Sequence, residues 1–194
     1  MRVSQEQAAE NRERIVDAAS RLFRQNGFDG VGLDAIMKDA GLTHGGFYGH
    51  FGSKDDLAAE AVTRALERST EKQGRFANLH DLVSDYLSER HRADRANGCA
   101  VAALGADIAR HGKGVRRGLT AHVRAQLDRY ARLFANGTAA GRRRRAVTTL
   151  AGVVGAMTLA RAVDDPTLSK EILAAARDAF GKAPSARRSG GRRG

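Results

Sequence analysis

The sequence predicts an all-α protein of about nine helices, with an N-terminal helix-turn-helix three-helix domain and a larger C-terminal helical domain. Three observations carry that prediction. Apolar residues recur at three- and four-residue spacing along most of the chain, with few β-branched clusters. Only two prolines, Pro166 and Pro184, interrupt its 194 residues. Alanine, leucine, arginine and glutamate, all good helix formers, recur in long runs. The length suffices for a core without staples.

Each element has its own signal. Ser4 with Gln7 three residues on forms a capping box. Ile15, Ala18, Ala19, Leu22 and Phe23 then share one helical face, and Gly27 ends the run. Leu33, Ile36, Met37 and Ala40 make a two-turn segment, entered through the weak cap Gly32 and closed by Gly41. A third helix is expected from its N-cap Thr43 to Phe51, with Gly52 as terminator. Ser53 and Asp56 form a second capping box. They open a longer helix, to about residue 71, with Leu57, Ala61, Val62, Ala65 and Leu66 inward.

Leu79, Leu82, Val83, Tyr86 and Leu87 mark the fifth helix, "NGCAVAALGADIARHG" the sixth, and Val115 to Phe134 the seventh. The eighth, about 143–163, is apolar nearly all round, which predicts burial on two sides. One side faces its own core and the other a second copy of the chain. Gly152, Gly155 and Ala156 permit close approach. Arg142 to Arg145 read as a solvated loop before this helix, because a helix N-terminus disfavours cations. Pro166 predicts a turn, and Ile172, Leu173, Ala176 and Phe180 a ninth helix. From Lys182 the chain is rich in Gly, Ser and Arg and is expected to be disordered. The domain reading is therefore 1–70, 71–181 and a basic tail, 182–194.

Composition excludes several classes. No run of about 18 uncharged apolar residues exists, so no membrane span is expected. The polar start argues against a signal peptide, and a single cysteine against disulfides, so the cytoplasm is the expected location. The six histidines (44, 50, 80, 91, 111, 122) lack metal-ligand spacing. No cofactor and no catalytic set, whether Ser/His/Asp or paired carboxylates, is apparent. Cys99 reads as a small buried hydrophobe at a helix start. The net charge of +11 hints at nucleic acid. Residues 1–75, however, carry 11 Lys/Arg against 12 Asp/Glu, so the excess lies in the remainder.

Local chemistry locates the candidate site. "GLTHGGFYGHFGSK", 41–54, is too glycine-rich to favour a helix, yet it lies between strongly helical segments. Phe47 and Phe51, four apart, fit packing onto the preceding helices. That leaves Thr43, His44, Gly45, Gly46, Tyr48, Gly49 and His50 outward. Missing side chains let a backbone lie close to a partner, as a recognition helix does in a major groove. Tyr48 and His50 suit phosphate, and His44 a base edge or phosphate. Lys54 adds a charge beside the N–H groups of the next helix. A phosphate-cradling loop would need a Gly-Lys-Ser/Thr order and a preceding strand, and both are missing.

The segment "LDAIMKDAGLTHGGFYGHFGSKDDL" resembles the DNA-binding segment of the tetracycline-repressor (TetR) family of bacterial regulators. The matching residues are Ala40, Gly41, Leu42 and Thr43, then Gly45, then 47–51, then Ser53, Lys54 and Leu57. The resemblance covers about 60 residues. It implies an Ω-shaped homodimer of nine helices with an effector pocket in the C-terminal domain. It also implies DNA-facing positions for Thr43, His44, Gly45, Tyr48, His50 and Lys54. Gly32 and Gly46 depart from the family pattern, which shifts readout toward DNA shape.

The expectation is a ligand-responsive, sequence-specific regulator, most often a repressor in such proteins, binding a double-stranded palindromic operator as a homodimer. A small-molecule effector of unknown identity would release it, with candidate walls Phe76, Tyr86, Leu104, Ile108, Leu119, Phe134 and Met157. The alternative is an architectural, weakly specific DNA binder driven by the basic C-terminal part.

Overall fold

The computed structural model describes residues 4–181, so the expected basic tail lies outside the described residues. Helix α1, Gln5–Asn26, starts where the Ser4 hydroxyl accepts from the Gln7 N–H at 3.1 Å. It ends at Gly27, whose φ of 77° is open to glycine at little cost. α2 is Leu33–Asp39, and a 3₁₀ helix covers His44–Gly49. α3, Lys54–Gln73, begins on the expected box: the Ser53 hydroxyl accepts from the Asp56 N–H and donates to its carboxylate. α4 is Leu79–Tyr86, α5 Glu89–Ala93, α6 Ala100–Arg110, α7 Lys113–Arg132, α8 Ala139–Ala162 and α9 Pro166–Phe180. No strand occurs among the described residues.

Outside the 3₁₀ segment, three details differ from the sequence expectation. α5 is additional: it is one turn long and buries no residue, so it has no apolar stripe to read. Its signal is Ser88, whose hydroxyl accepts from the His91 N–H. α8 starts earlier than expected, at Ala139, capped by Thr138 accepting from the Gly141 N–H. Arg142 to Arg145 therefore lie in its first turns and not in a loop. Local acceptors offset the unfavourable helix end. Arg142 donates to the Gly137 carbonyl at 2.6 Å and Arg143 to Asp128 at 2.5 Å. Arg145 bonds the Asn136 carbonyl and covers the Phe134 ring. Pro166, expected in a turn, is instead the first residue of α9. Its missing N–H costs nothing there, and Asp165 accepts from Thr167 and Leu168.

Two apolar cores result. The first joins α1, α2, the 3₁₀ helix and α3 through Phe23, Ile36, Phe47 and Leu57, and recruits Leu104 and Ile108 of α6. The second joins α4, the end of α7, α8 and α9 through Leu82, Tyr130, Val153, Met157 and Leu173. α8 packs against both α7 and α9. Gly152 serves that packing, because a Cβ there would stand 2.1 Å from the Phe180 ring. Gly155 faces open space.

Phe47 is fully buried and links the 3₁₀ helix to the first core. Phe47→Ala should cost about 3–5 kcal/mol in urea unfolding. A loss below about 1 kcal/mol would show that the segment is not anchored through this ring.

Candidate nucleic-acid interface

The turn between α2 and the 3₁₀ helix is a left-handed glycine cap. Gly41 has φ 69°, its N–H meets the Lys38 carbonyl, and the Leu42 N–H meets the Met37 carbonyl at 2.8 Å. Thr43 occupies the capping position in extended conformation, but its hydroxyl makes no capping bond. The expected helix from Thr43 to Phe51 is thus a 3₁₀ helix, His44–Gly49, with three glycines among its six residues. Glycine's backbone entropy explains why the longer, regular helix does not form unaided. Phe47 and Phe51 do pack as expected: both are buried and stacked, with ring centroids 5.7 Å apart.

The opposite side is open. Thr43, His44, Gly45, Gly46, Tyr48 and Gly49 are exposed, and His50 is half-buried at the edge. Tyr48 is 66% exposed, the most exposed large apolar side chain described. Neither conformation nor packing demands the glycines. Positive φ among described residues occurs only at Gly27, Gly41 and Gly137. A Cβ at Gly45 or Gly49 would meet nothing within 4 Å, and one at Gly46 only the Met37 methyl at 3.7 Å. Within the chain there is room for side chains that the sequence omits.

The remaining candidates have internal partners. His44 Nδ1 pairs with the Asp34 carboxylate on α2, on the exposed surface. Lys54 is directed inward: its ammonium donates to the Phe28 carbonyl at 2.7 Å, 6.0 Å from the Phe23 ring. The structure thus gathers Thr43, His44, Gly45, Gly46 and Tyr48 on one surface with His50 beside them, and sets the Lys54 charge apart. Two cations that sequence reading passed over flank the turn. Lys38 is exposed on α2. Arg14 of α1 reaches Gly41, where a Cβ would lie 2.6 Å from its guanidinium. Arg14 and Gly41 are 27 positions apart, so no local pattern connects them.

A second feature lies behind this domain. A cavity of about 270 Å³ is bounded by the end of α3, by α4, by α5 and by residues 94–99. Of the candidate walls, Phe76 and Tyr86 line it. Leu104, Ile108 and Leu119 instead belong to the first core, and Phe134 and Met157 to the second. Cys99 is buried at the start of α6, as expected. His91 is locked: Nδ1–H donates to the Tyr86 carbonyl at 2.6 Å, and Nε2 accepts from the Cys99 N–H at 2.9 Å. Burial lowers its pKa, which favours the neutral ring.

The cavity wall is tied to the N-terminal domain. The Gly98 carbonyl accepts from Arg24 of α1 at 3.4 Å, and the Asn97 carbonyl from Lys72 of α3 at 2.8 Å. Arg24 is only 4% exposed, and burial, with the nearby Arg68 charge, lowers its pKa to about 10.

Comparison with known proteins agrees with this geometry. Residues 15–61 match the family described as "Bacterial regulatory proteins, tetR family". Over 64 residues the chain is 44% identical to the HTH-type transcriptional regulator LmrA of Bacillus subtilis (strain 168), covering 32% of this chain and 34% of that one. Over 105 residues it is 34% identical to the HTH-type transcriptional regulator AcrR of Shigella flexneri, covering 47% and 49%. The matched stretches thus span between a third and a half of the length of these curated relatives. A TetR transcriptional regulator from Chloroflexus aurantiacus J-10-FL shares the fold, with a TM-score of 0.72 at 23% identity over 90% of this chain and 96% of that one. The helix-turn-helix of residues 33–51 thus lies within a stretch that matches the tetR family of bacterial regulatory proteins, and the chain around it has the fold of a TetR-family regulator.

Proposed function

We propose that the protein is a ligand-responsive repressor that binds a palindromic operator as a homodimer, through Thr43, His44, Gly45, Gly46, Tyr48, His50 and Lys54. The observation that carries this reading is the glycine face. It is exposed, its glycines are required by nothing inside the chain, and it is backed by two buried phenylalanines. A surface thinned in this way suits an approach to a groove closer than a side chain allows. Tyr48 supplies a hydroxyl for phosphate at its centre. Lys54 leaves Phe28 to reach phosphate, or else acts by fixing the start of α3.

Dimerisation through α8 and α9 is supported by an apolar stripe. Val147, Ala151, Gly155 and Leu159 recur every four residues along α8, with Leu168 on α9. Val147, Leu159 and Leu168 are exposed in the single chain, and open Gly155 permits close helix approach. A second copy covering this stripe places two reading surfaces on one duplex, with half-sites about one helical turn or more apart. Effector control follows from the cavity wall, whose carbonyls hold Arg24 and Lys72. A ligand that prefers another arrangement of residues 94–99 shifts α1 and α3, and its effect is limited by that preference.

Gly49→Ala should leave stability unchanged or raise it by about 0.4–1 kcal/mol, while operator affinity, measured by titration, falls at least about tenfold. Undiminished affinity would remove the close-approach explanation. Tyr48→Ala should weaken operator binding with the dimer intact, and an unchanged footprint would refute its role. Leu159→Glu should shift the mass measured by light scattering toward the monomer and weaken operator binding in parallel. A dimer that persists would place the interface elsewhere.

A further inference from the structure

The cavity behind the N-terminal domain has a chemistry of its own, and its deep end is unsatisfied. Tyr86 is 5% exposed, and its hydroxyl has no nitrogen or oxygen partner, only the weakly bonding Cys99 thiol beside it. The Gln73 side-chain oxygen, also in the wall, is buried without a donor. Buried polar groups are nearly always paired, so two orphans facing one cavity call for an occupant. His91 cannot serve that occupant, because both its ring nitrogens are engaged. Burial raises the Tyr86 pKa well above its usual value, so the phenol stays neutral and can donate. The group that completes this end must accept one hydrogen bond and donate another, which a hydroxyl does.

The sides and the mouth add two requirements. Phe76, Leu82 and the Tyr86 ring form apolar walls, which favour a flat hydrocarbon body. At the exposed rim, Arg90 is already paired with Asp85, and Asp94 accepts from the Asn97 backbone and side chain. Lys72 and Arg75 have no carboxylate partner among the described residues. Lys72 spends one N–H on the Asn97 carbonyl and keeps two. Lys72, Arg75 and Arg90 outnumber Asp85 and Asp94 in the lining by one charge, so the rim carries a net positive charge. The volume of about 270 Å³ limits the ligand to a small molecule.

We infer that this cavity binds a small aromatic carboxylate with a hydroxyl at its far end: the hydroxyl meets Tyr86 and Gln73, the ring lies against Phe76 and Leu82, and the carboxylate meets Lys72 and Arg75. This inference rests on the ligand-responsive reading above and gives it a ligand class. It also names a trigger. A carboxylate drawn to Lys72 pulls on the same ammonium that holds the Asn97 carbonyl, and the next carbonyl, Gly98, is the one that holds Arg24 of α1.

The test uses the full chain and three probes: 4-hydroxybenzoate, benzoate and 4-hydroxybenzyl alcohol, each titrated by calorimetry. 4-Hydroxybenzoate should bind about tenfold or more tighter than either probe lacking one polar group. Tyr86→Phe, which removes a hydroxyl with no nitrogen or oxygen partner and so keeps the fold, should erase the advantage over benzoate alone. Arg75→Gln should narrow the advantage over the alcohol alone. Equal binding of the three probes, no binding, or discrimination unchanged in Tyr86→Phe overturns the assignment. Operator titration in parallel separates the two readings. Intact operator binding with no probe bound overturns the ligand class and leaves the DNA-binding reading standing. The expected probe pattern without operator release upholds the site and overturns its regulatory link.

Discussion

The N-terminal domain depends on one division of labour within nine residues. Phe47 and Phe51 carry the anchoring, stacked and buried against α1, α2 and α3. Around them lie three glycines, with Thr43, His44, Tyr48 and His50 as the side chains at the surface. Burying an aromatic ring contributes a few kcal/mol, far more than the glycines lose in helical propensity. A segment that would not fold alone is thereby fixed in place while its outer face stays open. Its 3₁₀ geometry fits this balance, with hydrogen bonds from the Gly46 and His50 N–H groups back to Thr43 and Phe47.

The same economy of contacts governs the link between the two cores. α6 contributes Leu104 and Ile108 to the N-terminal core, while Cys99, just before it, belongs to the second. The approach to α6, residues 94–99, is held by carbonyls bonded to Arg24 and Lys72. Arg161 of α8 also donates to the backbone of His91 and Arg92. Gly98 cannot take a side chain there, since a Cβ would lie 2.7 Å from the Asp94 carbonyl oxygen. Backbone carbonyls and basic side chains thus tie residues 91–98 to α1, α3 and α8.

Much of this was legible in the sequence, for identifiable reasons. Ser4 and Ser53 announced their helices because capping is a local bond over three residues. The buried pair Phe47 and Phe51 followed from four-residue spacing. The missed features are those that tertiary contacts decide. Arg142 to Arg145 were expected in a loop because a helix dipole repels cations. Asp128, Gly137 and the Phe134 ring, all from the preceding segment, offset that repulsion. The inward turn of Lys54 depends on the Phe28 carbonyl, 26 residues earlier. The cavity and its orphaned hydroxyl needed α3, α4 and α5 to be placed in space. The expected eighth-helix glycines proved to have separate uses, Gly152 receiving Phe180 and Gly155 remaining open.

The central claim is that residues 43–50 enter a major groove twice per dimer. Guanine-N7 methylation interference on an operator selected from random duplexes reads that most directly, because N7 lies on the major-groove edge. The account predicts interference in two symmetric half-sites, their centres one helical turn or somewhat more apart. Binding indifferent to N7 methylation, or sensitive in one unrepeated patch, would contradict it.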